Sequence, residues 1–229
     1  MGSGRDKRRK AKRSQRHHTP NWEAWSEKTD AQLLTEKAFI ARKHHEGWHV
    51  LGVMGFAGSW KRSGLAGEQL TAYVEGMASA LRTYLTLQQE RWGASLVVSS
   101  GATYAGTLQL TYDICTEQGI RAMGVTPDRT LRYPIGRLDL LLPVGRRYGD
   151  ESEVFLNTAD AFVLVGGGDQ SRRETEEAHR RGKPVSIIQG FGGVADIFSA
   201  KQLPQAIFFN PNTLSPEDSV TPETIEDHD

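Results

Sequence analysis

The feature that most narrows what this chain can fold into is a recurring unit: a short apolar run, a glycine-rich turn, then a stretch with helical spacing. Residues 49–54 run into Gly55-Phe56-Ala57-Gly58. Residues 95–99 run into Ser100-Gly101-Ala102-Thr103-Tyr104-Ala105-Gly106, and residues 161–165 into Gly166-Gly167-Gly168. A short, continuously apolar run is the mark of a strand buried on both faces, as in a parallel sheet covered by helices. The same reading predicts strands over 120–125, closed by Pro127, and over 138–144, 184–188 and 206–209. It predicts helices over 30–45, 67–91, 107–118, 151–158, 171–181 and 194–200, with Asp30 capping the first and Gly47, Gly119 and Gly182 as stops. In the helix over 67–91, Leu70, Tyr73, Val74, Met77, Leu81, Tyr84 and Leu85 share one face. Alternating strands and helices predict an α/β, Rossmann-like, doubly wound and mainly parallel sheet with helices on both faces. No internal repeat is present.

Charge divides the chain. Its 28 basic and 28 acidic residues cancel formally, but the cancellation comes partly from opposed ends. Arg5, Lys7, Arg8, Arg9, Lys10, Lys12, Arg13 and Arg16 crowd the start, and Glu217, Asp218, Glu223, Glu226, Asp227 and Asp229 the end. We read 1–20 as a basic disordered arm, 21–210 as a single Rossmann-like nucleotide-binding domain, and 211–229 as an acidic tail. A solvated arm is favoured over one that grips nucleic acid, because no aromatic residue is interleaved with the charges. Cys115 is the lone cysteine and lies mid-helix on an apolar stretch, so it reads as packing; no intrachain disulfide is available and a reducing, cytoplasmic setting is expected. No apolar run approaches the ~20 residues of a membrane span. His17-His18 and His44-His45 are adjacent pairs without acidic or cysteine partners at metal spacing, so no metal is expected. Trp22, Trp25 and Trp48 read as a packing cluster near the first helix, with a homodimer contact as the alternative.

The turns carry the chemistry. In an open α/β sheet, ligands bind beyond the carboxyl ends of the strands, where glycine admits close backbone approach and a following helix offers free N–H groups. Gly55 and Gly58 are expected to border such a site. Gly101, Ala102, Thr103 and Gly106, with Ser100, are expected to cradle a phosphate, although Thr103 or Thr107 equally fits a helix cap. The turn is not G-x-G-x-x-G, so no conventional dinucleotide fingerprint is read. Gly166, Gly167, Gly168 and Ser171 are expected beside a ribose. Ser171 and Glu174 have capping-box spacing, S-x-x-E; the competing reading has Glu174 facing the ligand as a hydrogen-bond acceptor or as acid or base. Asp196 fits a ribose or adenine partner, or a helix cap, which is favoured. Arg172 and Arg173 read as exposed helix charge.

The third turn, followed by Ala178 and Gly182-Lys183-Pro184-Val185, resembles the signature of the Lonely Guy and lysine-decarboxylase-like proteins, P-G-G-x-G-T-x-x-E. These nucleotide-binding proteins form a Rossmann-like superfamily with the DprA/Smf domains. Residues 97–127, with Gly119 and then Gly124 to Pro127, resemble the family's earlier segment. Gly190 to Asp196 resembles a segment of nucleotide-sensing relatives, including cytoplasmic domains of melastatin-type channels. The resemblance spans residues 48–209. It implies a small-molecule ligand, a nucleoside monophosphate or ADP-ribose-like nucleotide, with no further cofactor, often in a homodimer. It implies one activity, an N-glycosidase or phosphoribohydrolase reaction, with Glu174 as the catalytic glutamate. Ser171 stands for the threonine, and Gly166 and Gly167 for the paired glycines. The sequence departs where Val165 replaces the proline and Asp169-Gln170 replaces the x-Gly step. It departs again at Glu151, where the family has an arginine; Arg146 and Arg147 lie close but out of register. Losing a cation there weakens catalysis more than binding. The expectation is therefore a nucleotide binder or sensor first and a hydrolase second.

Overall fold

The computed structural model describes residues 19–60 and 64–210, so the expected arm, apart from Thr19 and Pro20, and the expected tail lie outside the described residues. The chain opens with α1 (Trp22–Lys28), the short edge strand β1 (Gln32–Leu33), α2 (Glu36–Glu46) and β2 (His49–Gly55). Then come α3 (Gly67–Trp92), β3 (Leu96–Ser100), α4 (Gly106–Gln118), β4 (Arg121–Thr126) and a 3₁₀ turn, Asp128–Arg132. After β5 (Leu140–Pro143) follow α5 (Ser152–Thr158), β6 (Ala161–Val165), α6 (Asp169–Arg180) and β7 (Val185–Ile188). A 3₁₀ turn, Gly193–Asp196, precedes β8 (Ile207–Phe209).

The eight strands of the described residues form one parallel sheet in the order β1-β5-β4-β3-β2-β6-β7-β8. From β2 the chain builds outward through β3, β4 and β5. It then crosses back to lay β6, β7 and β8 on the other side of β2. The two directions part between β2 and β6, where Leu51 to Gly55 run beside Ala161 to Val165. Alternation within β2 explains why both faces need cover: Leu51 and Val53 enter the core under α3 and α4, while Val50 and Met54 enter the core with Phe39, Phe155 and Ala178. Gly52 lies against Phe162, where a Cβ would come within 2.5 Å of the ring. This is the covered, doubly wound α/β sheet that the alternation predicts.

Three local expectations are corrected. The first helix does not start after Asp30; Gln32 and Leu33 pair with Leu140 and Leu141, and Thr35 caps the helix instead, accepting from the Ala38 N–H at 3.2 Å. Residues 194–200 do not form an α-helix; only the 3₁₀ turn forms, entered through Gly192 and Gly193 at φ +68° and +66°. Trp25 and Trp48 do not cluster. Trp25, on the unforeseen α1, is buried on one face of the sheet and donates its indole N–H to Asp128 at 2.9 Å. Trp48 is buried on the other face, with the guanidinium groups of Arg42 and Arg121 5.0 and 4.7 Å from its ring centroid. No helix among the described residues is long and apolar enough to cross a membrane.

Candidate functional site

A cleft of about 770 Å³ opens beyond the carboxyl ends of β2, β3 and β4, walled on the far side by the start of α6 and the loop after β7. The loop after β2 shapes it. Phe56 donates its N–H to Thr107 Oγ1 at 3.1 Å and accepts the Thr107 N–H on its carbonyl at 2.8 Å. Gly106, at φ +60°, sits where a Cβ would lie 2.4 Å from that same carbonyl and 2.8 Å from the carbonyl of Gly58. The backbone oxygens of this loop therefore occupy the space in front of the α4 N-terminus, where sequence reasoning expects a phosphate. Ala102 is fully buried and, like Gly106, does not line the cleft. Ser100, Gly101 and Thr103 do line it, with Ser100 donating its hydroxyl to the Val53 carbonyl at 2.7 Å.

The turn after β6 is packed in a similar way. Gly166 and Gly167 have φ of +67° and +86°. A Cβ on Gly166 would stand 2.3 Å from the Phe56 ring, and one on Gly193 2.5 Å from the Gly167 carbonyl. The N–H groups of Val194 and Ala195 donate to Gly167 and Gly166 at 3.1 and 2.9 Å. These glycines let three segments close upon one another behind the cleft wall; Gly55, Gly58 and Gly168 are the glycines of the first and third turns that border the cleft itself.

Two buried carboxyl groups meet at the floor. Helix α6 begins at Asp169 rather than Ser171, so Ser171 and Glu174 do not make a capping box. Ser171 instead donates to the Gly55 carbonyl at 3.2 Å, tying α6 to β2. Glu174 accepts from the Ser152 hydroxyl at 2.5 Å and from the Gln170 amide at 2.9 Å. The same amide nitrogen donates to Glu151 at 3.0 Å, and the other Glu151 oxygen accepts the Gly149 N–H at 2.8 Å. Burial pushes the Glu151 carboxyl up to about 7, against the hydrogen bonds from Gln170 and Gly149, which favour the carboxylate. Burial raises Glu174 as well, opposed by Ser152 and Gln170. Near neutral pH the floor thus presents acceptor oxygens beside a carboxyl still able to donate, which suits sugar hydroxyls and also acid–base work.

The mouth is aromatic. Trp60 meets Tyr73 edge-on with ring centroids 6.1 Å apart, Tyr73 meets Phe191 in the same manner, and the Tyr73 hydroxyl donates to the Phe191 carbonyl at 2.6 Å. Tyr148 lines the side nearest Glu151. Asp196 is neither a helix cap nor a cleft residue: it accepts the N–H groups of Gly190 and Gly192 at 2.7 and 2.8 Å and closes their loop. Sequence reasoning missed Gln170, Ser152 and the aromatic mouth. The signal for Gln170 was the residue inserted into the third turn, and for Glu151 a glutamate in place of arginine. The aromatic residues are far apart in sequence and carried no local signal. Among the described residues, no three histidine, cysteine or acidic side chains gather as a metal site would require.

Neither a protein-family model nor a curated protein matches this sequence. Solved structures do resemble the fold. TM1055, a structural-genomics target, superposes with a TM-score of 0.53 at 19% identity, covering 72% of this chain and 94% of that one. The molybdenum cofactor binding protein of the phototrophic bacterium Rippkaea orientalis gives 0.53 at 17% identity, over 74% and 91%. The molybdenum cofactor carrier protein of Chlamydomonas reinhardtii gives 0.50 at 18% identity, over 70% and 89%. With a single eight-stranded parallel sheet, a switch point between β2 and β6 and these neighbours, the chain has a Rossmann-like α/β fold.

Proposed function

We propose that this chain binds a nucleotide or nucleotide-sugar, a nucleoside monophosphate or an ADP-ribose-like molecule, in the cleft beside β2 and β6, as a carrier or sensor. The observation that carries the reading is the floor: Glu151 and Glu174 bridged by Gln170, at a sheet's switch point, beneath an aromatic mouth. The carboxyl pair meets ribose hydroxyls, and Trp60, Tyr73 and Phe191 offer faces and edges to a base. Ser100, Thr103, Gly55, Gly58 and Gly168 border the ligand. Two similar structures are named for the molybdenum cofactor, so that cofactor belongs among the compounds to be tested.

The second reading is hydrolysis of the bond between base and ribose. It is favoured by one observation, the Glu151 carboxyl, raised by burial to about 7, beside Glu174 at one floor. Glu151 would protonate the departing base as the base–ribose bond breaks, Glu174 would hold the ribose, and water would add to the anomeric carbon and return its proton to the Glu151 carboxylate.

A thermal-shift screen against AMP, ADP-ribose, NAD, cyclic nucleotides and the molybdenum cofactor, with chromatography of each mixture, tests both readings. A ligand at 100 times its Kd stabilises the fold by ~2.7 kcal/mol. A shift with intact ligand supports the binder, and a shift with free base supports the hydrolase. No shift with any compound removes both. Glu174→Ala is expected to cost at least about tenfold in affinity while the free protein stays folded; affinity equal to wild type would reduce Glu174 to an anchor for Ser152 and Gln170.

A further inference from the structure

The cleft has a charge problem that the nucleotide reading leaves open. Its floor and the first turn of α6 carry Glu151, Glu174 and Asp169, and among its described lining residues there is no lysine or arginine. The α4 N-terminus faces the carbonyls of Phe56 and Gly58. A phosphate placed at either helix start meets oxygen atoms or carboxyl groups.

Cations do gather at the cleft's edge, beside Tyr148. The turn after β5 and the 3₁₀ turn after β4 are bonded to one another: Asp128 donates its N–H to the Gly145 carbonyl at 3.1 Å, and Arg129 to the Arg146 carbonyl at 3.2 Å. Asp150 fixes the first of these turns by accepting the N–H groups of Arg146 and Arg147 at 2.9 and 3.0 Å on one carboxylate oxygen. Gly149 is bonded directly to Glu151, which joins the turn to the floor. The Arg129 guanidinium lies over the Tyr148 ring, 5.4 Å from its centroid. Arg129, Arg146 and Arg147 are exposed, and none pairs with a carboxylate among the described residues. Asp128 accepts from Asn21 and Trp25, so both nearby carboxylates hold other donors.

We propose that the phosphates of the ligand leave the cleft over Tyr148 and are held on this rim by Arg129, Arg146 and Arg147, with the sugar on the acidic floor. The proposal rests on the nucleotide reading and assigns its polarity: the ligand is a nucleoside diphosphate or diphosphate-linked sugar whose anionic part lies outside the glycine-rich turns. Exposed guanidinium groups, unpaired among the described residues and one of them, Arg129, over an aromatic ring, are suited to diphosphate, since each can present two donors to phosphate oxygens.

The test uses ADP-ribose, adenosine and inorganic pyrophosphate as probes, titrated calorimetrically into wild type and into Arg129→Gln/Arg146→Gln/Arg147→Gln. Wild type is expected to bind ADP-ribose about tenfold or more tighter than adenosine, with the gap narrowing as salt rises. In the triple variant the gap is expected to close while adenosine affinity is unchanged. A gap of wild-type size in the variant overturns the proposal and sends the phosphates to the glycine-rich turns. If wild type binds neither nucleoside nor nucleotide, the nucleotide reading fails by itself. Pyrophosphate then decides the rim: binding that the variant lacks upholds an anion site there, and no binding overturns it.

Discussion

Burial raises the Glu151 carboxyl of the folded chain to about 7, because it penalises the charged form more than Gln170 and Gly149 can compensate. That has a consequence for stability whose sign is fixed. The unfolded carboxyl ionises near its ordinary value of 4.5, whereas the folded one holds its proton up to about 7. Below pH 4.5 the two states bind the same proton. Between 4.5 and 7 only the unfolded state releases it, so rising pH favours unfolding, and above 7 the loss is complete. Glu174, also raised, pulls the same way. The loss from Glu151 is at most about 3 to 4 kcal/mol, since the carboxyl rises from 4.5 to about 7 and each pKa unit is about 1.4 kcal/mol. Urea midpoints of wild type should fall between pH 5 and pH 8, and those of Glu151→Gln should fall less; parallel curves would show that Glu151 titrates as an ordinary carboxylate. Glu174 could be singled out in the sequence because its spacing from Ser171 and its place after a glycine turn are local. Its partners could not, since Ser152 lies 22 positions earlier in the chain and Glu151, linked to it through Gln170, lies 23 earlier, and the packing of α5 against α6, before and after β6 in the chain, brings them together.

The elements were legible where a single local cause sets them. β6 spans the apolar run over 161–165 as read, and α4 ends at Gly119, whose φ of +67° is the left-handed cap expected of a glycine there. Boundaries slipped where a distant partner decides. Ser171 and Glu174 have the spacing of a cap, yet Ser171 bonds Gly55 of β2, and the helix begins two residues earlier. The glycines of the second turn read as a phosphate cradle, but Gly106 admits the carbonyls of Phe56 and Gly58 instead. That difference is testable. At Gly106 a methyl group meets two obstacles together, a positive φ and a backbone oxygen 2.4 Å away that no side-chain rotation removes. Gly106→Ala should therefore cost roughly 2 kcal/mol or more, lowering Tm by about 4 °C or more for a chain of this size. If the melt is unchanged, the loop after β2 is not held against α4, and the helix start is open to a ligand after all.

Over the whole molecule, the sequence pattern predicts the class of sheet but says nothing of strand order, because every apolar run looks alike and pairing depends on the crossover. Order is what makes the cleft. β3, β4 and β5 lie on one side of β2, and β6, β7 and β8 on the other, so both halves line the cleft, Ser100 and Thr103 from one and Gly168 and Gln170 from the other, and a ligand of the proposed kind would touch both at once. A molecule held by one half alone would stabilise that half and leave the second to open as before. One held across the switch point must be released before either half opens, so its binding free energy adds to the stability of both. ADP-ribose at 100 times its Kd should then raise Tm by about 5–10 °C. It should also slow amide exchange in two separate stretches, 96–107 and 161–174. Protection confined to the first stretch would put the ligand on the β3 side alone. Protection confined to the second would leave Glu174 in the site but remove Ser100 and Thr103 from it. Protection in both, lost together in Glu174→Ala, is the result that a ligand bridging the two halves requires.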